Sequence, residues 1–497
     1  MKRHSKRLLA FVRTLLRARK GRPVALVVLF SLSLLNLCSE WPNDIVRPAV
    51  VDAIDKVAPN SFGTARRILF DHYQRRFPRT PTTQPVTIVQ IDEKTLAAFG
   101  QWPWPRNRLA GLVDAIAAQK PLAIGLDIYM PEPDQTSPDK VADNLPKEAA
   151  ALAAGLRALP SHEAILAKSL RAAPTILGAA AFDQAAYTTS TDLRSAPILV
   201  HGADPLRSVQ RFNYVLASLP ELQAAAHGQA MLNVPLEQGV VRRIPLIMGL
   251  GEKVVPSLPI EMLRVATGSP FVDVFADASG VQAVGVADVR VPTQSDGEIW
   301  LHFAPIESTQ NRYVSARDIL QGKVDASRIR NKLVLVGLTG SGLTDMRTTP
   351  LGELVPGIEI QAQVIETIFE GSFLRRPVWL IWAESAFIMA LGLLIIWYVP
   401  RTDSRLAVFM RAVPKASAVL GVLLNLLILS SGLFFFRYFG LLVDAASIFI
   451  IVSAVMGCFF STALLHDDAH TVREAAKAAA REEGGGGAGN APGAGVA

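Results

Sequence analysis

Val86-Thr87-Ile88-Val89-Gln90-Ile91-Asp92 decides the fold. This β-branched run, bounded by Pro85, is too continuous for a half-exposed strand, so it predicts a strand covered on both faces and hence a parallel sheet. A loop with Gly100 and the Trp102-Pro103-Trp104-Pro105 steps leads to Asn107–Gln119. There Leu109, Leu112, Val113, Ile116 and Ala117 recur at helical spacing, and Pro105 stands where a helix tolerates proline. Pro121-Leu122-Ala123-Ile124-Gly125-Leu126-Asp127-Ile128 then returns as a second buried strand. The stretch is a βαβ unit with a right-handed crossover, which places Asp92 and Asp127 at one edge of one sheet.

The chain has 497 residues, 50% of them hydrophobic, with mean hydropathy +0.29. That is too apolar for a purely soluble protein and long enough for a domain beside membrane spans. The formal charge of +7 is concentrated at the membrane: Lys2, Arg3, Lys6, Arg7, Arg13, Arg17, Arg19, Lys20 and Arg22 precede the first apolar run without an acid among them. Positive-inside bias accounts for them, and no nucleic-acid partner is implied. Cys38 and Cys458 lie in apolar runs, so neither a disulfide framework nor a cysteine metal site is available.

Outward from the core, the expected segments are a basic cytoplasmic head (1–22), a signal-anchor helix (23–41), an extracytoplasmic domain (42–377), and spans at 378–399, 417–436 and 441–465. A basic cytoplasmic loop (400–416) and a cytoplasmic tail (466–497) complete the chain. Arg401, Arg405, Arg411 and Lys415 fix that loop inside, although Arg375 and Arg376 fall on the outer side. Pro48–Thr80 reads as a helical stalk, and Pro174–Phe182 and Lys332–Gly337 as further buried strands. Short strands from Gly228 to Phe303 read as an antiparallel portion, with Gly251-Glu252-Lys253 and Ser295-Asp296-Gly297 as turns. Ser315-Ala316-Arg317-Asp318 has capping-box spacing, and Gly322 ends its short helix. The tail's glycine-rich end carries too little apolar surface to fold. The fold class is therefore α/β, a mainly parallel sheet with an antiparallel portion, plus four transmembrane helices.

Asp92, Asp127 and Asp345 follow buried strands, and open α/β sheets bind their ligands at the carboxyl edge. With Arg106 and Arg108 at the start of the intervening helix, these acids suit a polar ligand or a calcium or magnesium ion. The competing reading is that they cap helices and brace loops through Arg106. Trp102 and Trp104 likewise either stack on a ligand or pack over the sheet end. Histidines show no zinc spacing, no serine sits in a nucleophile elbow, and Gly337–Gly342 lacks the ending of a phosphate loop, so no catalytic residue, cofactor or resident metal is assigned. Glu384, Asn425 and Asp444 lie within apolar runs, where ionisable and polar groups couple helices, conduct ions or snorkel to the interface.

Ile91-Asp92, Gly100 with Trp102-Pro103-Trp104-Pro105-Arg106, Asp127, Gly239-Val240-Val241-Arg242-Arg243-Ile244-Pro245, and Val336-Gly337 through Gly342-Leu343-Thr344-Asp345 and Thr349-Pro350 to Pro356-Gly357 together resemble the type-2 CHASE domain over roughly residues 45–375. That family is an extracytoplasmic sensory module of some bacterial cyclases, diguanylate cyclases and kinases. The resemblance implies one span before the sensor, commonly three after it, and then a cytoplasmic output domain. No output pattern follows the last span here, and Gln361 stands where the family commonly has a histidine. The expectation is a non-enzymatic sensor of the bacterial inner membrane, with both termini cytoplasmic and its main domain periplasmic. It would relay an unidentified stimulus to a cytoplasmic effector in trans. The alternative is an envelope assembly protein that uses the domain as a docking surface. Partners are then the lipid bilayer, an extracytoplasmic ligand or protein, and that effector, with a homodimer left open.

Overall fold

The computed structural model describes residues 22–41, 48–57, 62–340, 342–343, 345–398 and 416–459. The expectations for the basic head, most of the 400–416 loop and the tail lie outside these residues. In chain order the principal elements begin with helices α1 (Arg22–Ser39) and α2 (Gly63–Arg76), strand β1 (Val86–Ile91), helix α3 (Arg106–Ala117) and strand β2 (Ala123–Leu126). Helix α4 (His162–Ala172) and strands β3 (Thr175–Phe182), β4 (Tyr214–Leu216) and β5 (Gly228–Met231) follow. Helix α5 (Leu258–Thr267), strands β6 (Tyr313–Ser315) and β7 (Leu333–Leu338), and helices α6 (Gly357–Glu370), α7 (Val378–Tyr398), α8 (Ala416–Phe439) and α9 (Ala445–Phe459) complete the series.

The central sheet runs β6-β1-β7-β2-β3-β4, and β5 also pairs with β3. All its pairings are parallel except that of β4. Both faces are covered, as the continuous apolar strands require. Val86 and Ile88 of β1 point to one face, where α5 and α6 pack; Val89 and Ile91 point to the other, against α3 and α4. Asp92 and Asp127 do end parallel strands at one edge. They are not on neighbouring strands, however, because β7, from more than two hundred residues later, lies between β1 and β2.

The antiparallel portion is present as Arg243–Pro245 against Glu298–Trp300, the hairpin Ile247–Leu250/Lys253–Pro256, and Val272–Asp277, Gly280–Val286 and Val289–Pro292 in series. Two local expectations fail. The strand after Gly228 belongs to the parallel sheet, since it pairs with β3. Ser315 makes no capping hydrogen bond, because its hydroxyl is turned to Asp92 Oδ1 at 2.9 Å.

The region expected as a stalk is instead a connector. α2 buries Phe70 and Tyr73 against Phe436 and Leu442 of the membrane end. Tyr73 donates to the Leu429 carbonyl, 3.3 Å away, across Gly432, where a Cβ would stand 2.5 Å from the Tyr73 hydroxyl. Its other face holds the domain. Asp71 accepts two hydrogen bonds from Arg242 at 2.8 and 2.7 Å, and Gln74 donates to the Leu301 carbonyl at 2.6 Å.

Among the described residues three helices are long and apolar enough to cross a membrane, 22–39, 378–398 and 419–439, rather than four. The last apolar run contributes the shorter α9. Leu441 and Leu442 run extended, pairing with Arg375, and Asp444 Oδ1 then accepts from the Ser447 amide at 3.0 Å to start the helix.

Candidate functional site

Three of the six residues singled out in the domain meet. Asp127 leaves β2, Asp345 follows β7, and Trp102 comes from the loop before α3; all line one cavity of about 500 Å3 at the carboxyl ends of β7, β2 and β3. Tyr129, Leu232, Asn233, Arg347 and Gln361 complete its polar and apolar walls. This is where an open parallel sheet offers a crevice. Gly337 lets the first turn of α6 sit directly on β7, since a Cβ there would lie 2.5 Å from Ile358 Cδ1. Gly357 N–H donates to the Asp345 carbonyl at 2.9 Å, which ties the acid-bearing loop to the amino end of α6.

The site's charges are unevenly satisfied. Asp345 is paired with Arg347, whose Nε is buried without a hydrogen-bond acceptor. Gln361 is 3% exposed; its Nε2 reaches the Leu232 carbonyl at 3.5 Å, while its Oε1 has no donor. Burial first, then the negative charge of Asp345, pushes the Asp127 carboxyl up to about 6 against the pull of Arg347. The same desolvation raises Tyr129, with Asp127 and Asp345 adding to it.

The other three residues do bracing work elsewhere. Asp92 caps the helix Glu93–Phe99, accepting from the Thr95 amide at 2.9 Å and its hydroxyl at 2.5 Å. Trp104 is buried, donates to the Gly100 carbonyl at 3.0 Å and lies under Arg108 at 5.8 Å. Arg106 turns to the loop after β2, where its amide donates to Asp134 at 2.7 Å. Its guanidinium is lowered by burial, with Asp134 and Glu163 opposing. Burial works against Asp134 as an anion, yet hydrogen bonds from Thr136, Arg106 and His162 hold it down to about 2.

At the membrane boundary, Glu384 and Asp444 are joined rather than separately directed to the interface. Glu384 Oε2 lies 2.8 Å from Arg376, and its Oε1 accepts from the Asp444 amide at 2.6 Å. Arg376 also pairs with Glu40 at the end of α1, and Arg66 of α2 bridges Glu40 and Asp444, the latter at 3.1 Å. Three acids and two guanidinium groups thus tie α1, α2, α7 and α9 together. Asn425 donates to the Gly421 carbonyl at 3.1 Å and accepts from Ser453 at 3.3 Å, a link between α8 and α9.

Between cavity and membrane lies α6. Its Gln363, Glu366 and Glu370 accept from Arg79 at 2.6, 2.9 and 2.7 Å, and Glu366 also pairs with Arg312 at 2.9 Å. Glu359, raised by burial against the pull of Arg312, accepts from the Tyr313 hydroxyl at 2.6 Å.

A family model described as CHASE2 domain matches residues 53–399, well over half of the chain. The chain belongs to this family. The match runs from before α2 to the end of α7, so the CHASE2 unit takes in the connector helix and the span that follows the domain as well as the sheet. No curated protein and no solved structure matches the chain. A CHASE2 domain is a sensory module, and with its apolar helices this is a membrane protein carrying an extracytoplasmic-type sensor. The Arg242-Arg243 step of the sequence pattern makes the membrane-side joint: Arg242 holds Asp71 of α2, and Arg243 binds Glu237 and Asp296 while covering Trp300 at 5.3 Å. Arg347 was missed in the sequence, and Gln361 was noticed there only as a departure from the family. The signal for Arg347 was its position two residues after Asp345, on the same loop.

Proposed function

We propose that this CHASE2 protein senses a small polar solute outside the cytoplasmic membrane and passes the change through its membrane helices to a separate cytoplasmic effector. One observation carries the reading. The cavity is built on the first turns of α6, and the other end of α6 continues through residues 371–377 into the span α7. A ligand that repositions Gln361 therefore acts on an element directly connected to the bilayer. Differential contact in two positions of that element is what a relay requires. On this reading both termini are cytoplasmic and the sheet domain is periplasmic, which the positive-inside bias of the basic head and basic loop supports. The domain supplies no nucleophile, base and oxyanion arrangement among the described residues, and the proposed role is not catalytic.

Photo-crosslinking of the full chain in native membranes, followed by capture, tests the reading. The expected result is a signalling enzyme among the captured proteins, with the yield or activity of that complex altered by the double variant Asp127→Asn/Arg347→Gln. Capture of envelope assembly components alone, unchanged by the cavity variant, would replace the sensor with a docking protein.

A further inference from the structure

Donors and acceptors around the cavity are mismatched in a way that specifies a ligand. Asp127 receives no side-chain hydrogen bond from the described residues, and Gln361 Oε1 is buried without a donor. These are two acceptors. Arg347 Nε is a buried donor without an acceptor. Buried polar groups are ordinarily satisfied, and such exceptions in a cavity mark what the cavity binds.

Three simpler ligands fit poorly. A phosphate or other multiply charged anion would face the carboxylates of Asp127 and Asp345. A divalent cation would face the guanidinium of Arg347, and the described residues offer no third acid here for its coordination shell. A plain amine would satisfy Asp127 and Gln361 yet leave Arg347 Nε unpaired. A compact molecule with an ammonium group at one end and a carboxylate at the other answers all three. The amino end of α6 adds a dipole that favours the carboxylate beside Gly357. Trp102 and Tyr129 offer ring faces for the cationic end or a side chain.

We infer that the cavity binds a free α-amino acid, its ammonium held by Asp127 and Gln361 Oε1 and its carboxylate by Arg347 Nε. This rests on the sensor reading of the same site and names its ligand class. The cavity, about 500 Å3, is large enough for any of the common amino acids and leaves the side chain to be chosen by the Trp102, Phe182 and Leu232 walls.

The test uses the purified full chain in lipid nanodiscs and the twenty amino acids as probes, read by thermal shift and calorimetry. For each amino acid that binds, its decarboxylated amine, its amide and its N-acetyl derivative are measured alongside. The amide and N-acetyl forms also stand in for the two ends of a peptide. At least one free amino acid should bind, and loss of either charge should weaken it by about 100-fold, because one buried group of the site is then left unpaired. Arg347→Gln should erase the preference for the amino acid over its amine, and Asp127→Asn the preference over the N-acetyl form. Absence of binding by all twenty, or equal binding of a derivative lacking one charge, would overturn the inference. The sensor reading does not fall with it, since that is judged by the captured partner and its response to the cavity variant.

Discussion

Replacing Asp127 by asparagine should stabilise the protein at neutral pH. In the folded chain the carboxyl titrates at about 6, against 3.8 for an ordinary aspartate, because burial and Asp345 oppose its ionisation. Below 3.8 it is protonated folded or unfolded, and its burial costs little. Between 3.8 and 6 only the folded state keeps the proton, so stability falls as pH rises through this window. Above 6 the folded state carries the whole cost. Two pKa units at about 1.4 kcal/mol each give about 3 kcal/mol, an upper figure for a half-buried group. The asparagine side chain is isosteric with aspartate and cannot ionise, so Asp127→Asn should gain about 2–3 kcal/mol at about pH 7.5, about half of that at about pH 5, and almost nothing near about pH 4. Thermal melts of the full chain in nanodiscs read this directly, at about 2 °C per kcal/mol for a domain of this size. A variant less stable than wild type at neutral pH would refute the reasoning, because it would show the carboxylate bracing the fold. On the proposed reading, an acid held at a cost to the fold is the stability trade expected of functional sites.

Arg79→Met should lower stability by about 2–4 kcal/mol, since it takes from Glu370 its guanidinium partner and leaves buried Glu366 with Arg312 alone; a loss under about 1 kcal/mol in the same melts would show the network to be well hydrated. Gly432→Leu should push Tyr73 off α8, given the 2.5 Å approach there, and should speed tryptic cleavage at Arg75 and Arg76; unchanged cleavage would mean that α2 is held by the domain alone. In a background with Cys38 and Cys458 replaced by serine, Tyr187→Cys should react with an impermeant maleimide in intact cells. Tyr187 is fully exposed. Labelling only after permeabilisation would invert the topology.

The doubly covered parallel sheet was legible because its strands carry unbroken apolar runs, and the cavity edge was legible because Asp127 directly follows one of them and Asp345 follows another by a short loop. Asp92 and Arg106 stand apart from that cavity for a topological reason. One inserted strand moves neighbouring strand ends apart by about 10 Å, and nothing in the Val86–Met130 stretch signals that β7 enters between β1 and β2. The same limit hid the polar character of α6. Its Ile358, Val364, Ile365 and Ile368 announce one apolar face, yet Glu359, Gln361, Gln363 and Glu366 are buried as well. Their partners Arg79 and Arg312 lie far away in sequence. Hydropathy counted four spans because it sums Leu441–Val443 with the apolar helix beyond them, whereas those residues run extended beside Arg375 before Asp444 starts a helix.

That buried polar helix bears on how the proposed sensor transmits. An apolar helix in an apolar socket slides with small, graded changes in contact, but a helix whose Gln363, Glu366 and Glu370 share one guanidinium loses several charged hydrogen bonds when it moves out of register. On the proposed sensor reading, α6 would therefore move between discrete positions relative to Arg79, which lies just past α2, the connector to the bundle. Beyond the left-handed Gly371 that ends α6, the chain is gripped again. Leu374 bridges to Trp300, Arg375 to Leu441 at the turn between α8 and α9, and Arg376 to both Glu40 and Glu384. On the proposed sensor reading, a displacement begun at Gln361 would arrive together at the domain-side ends of α1, α7, α8 and α9, through the short segment 371–377 and the charges it meets. Concerted rearrangement of the bundle is the motion this connectivity favours over a piston stroke of a single span. Cutting the Arg376 links should then uncouple the bundle from the cavity while leaving amino-acid binding intact, so Arg376→Gln separates transmission from recognition: unchanged affinity with a lost partner response supports the concerted route, and an unaltered response would place the route in α2.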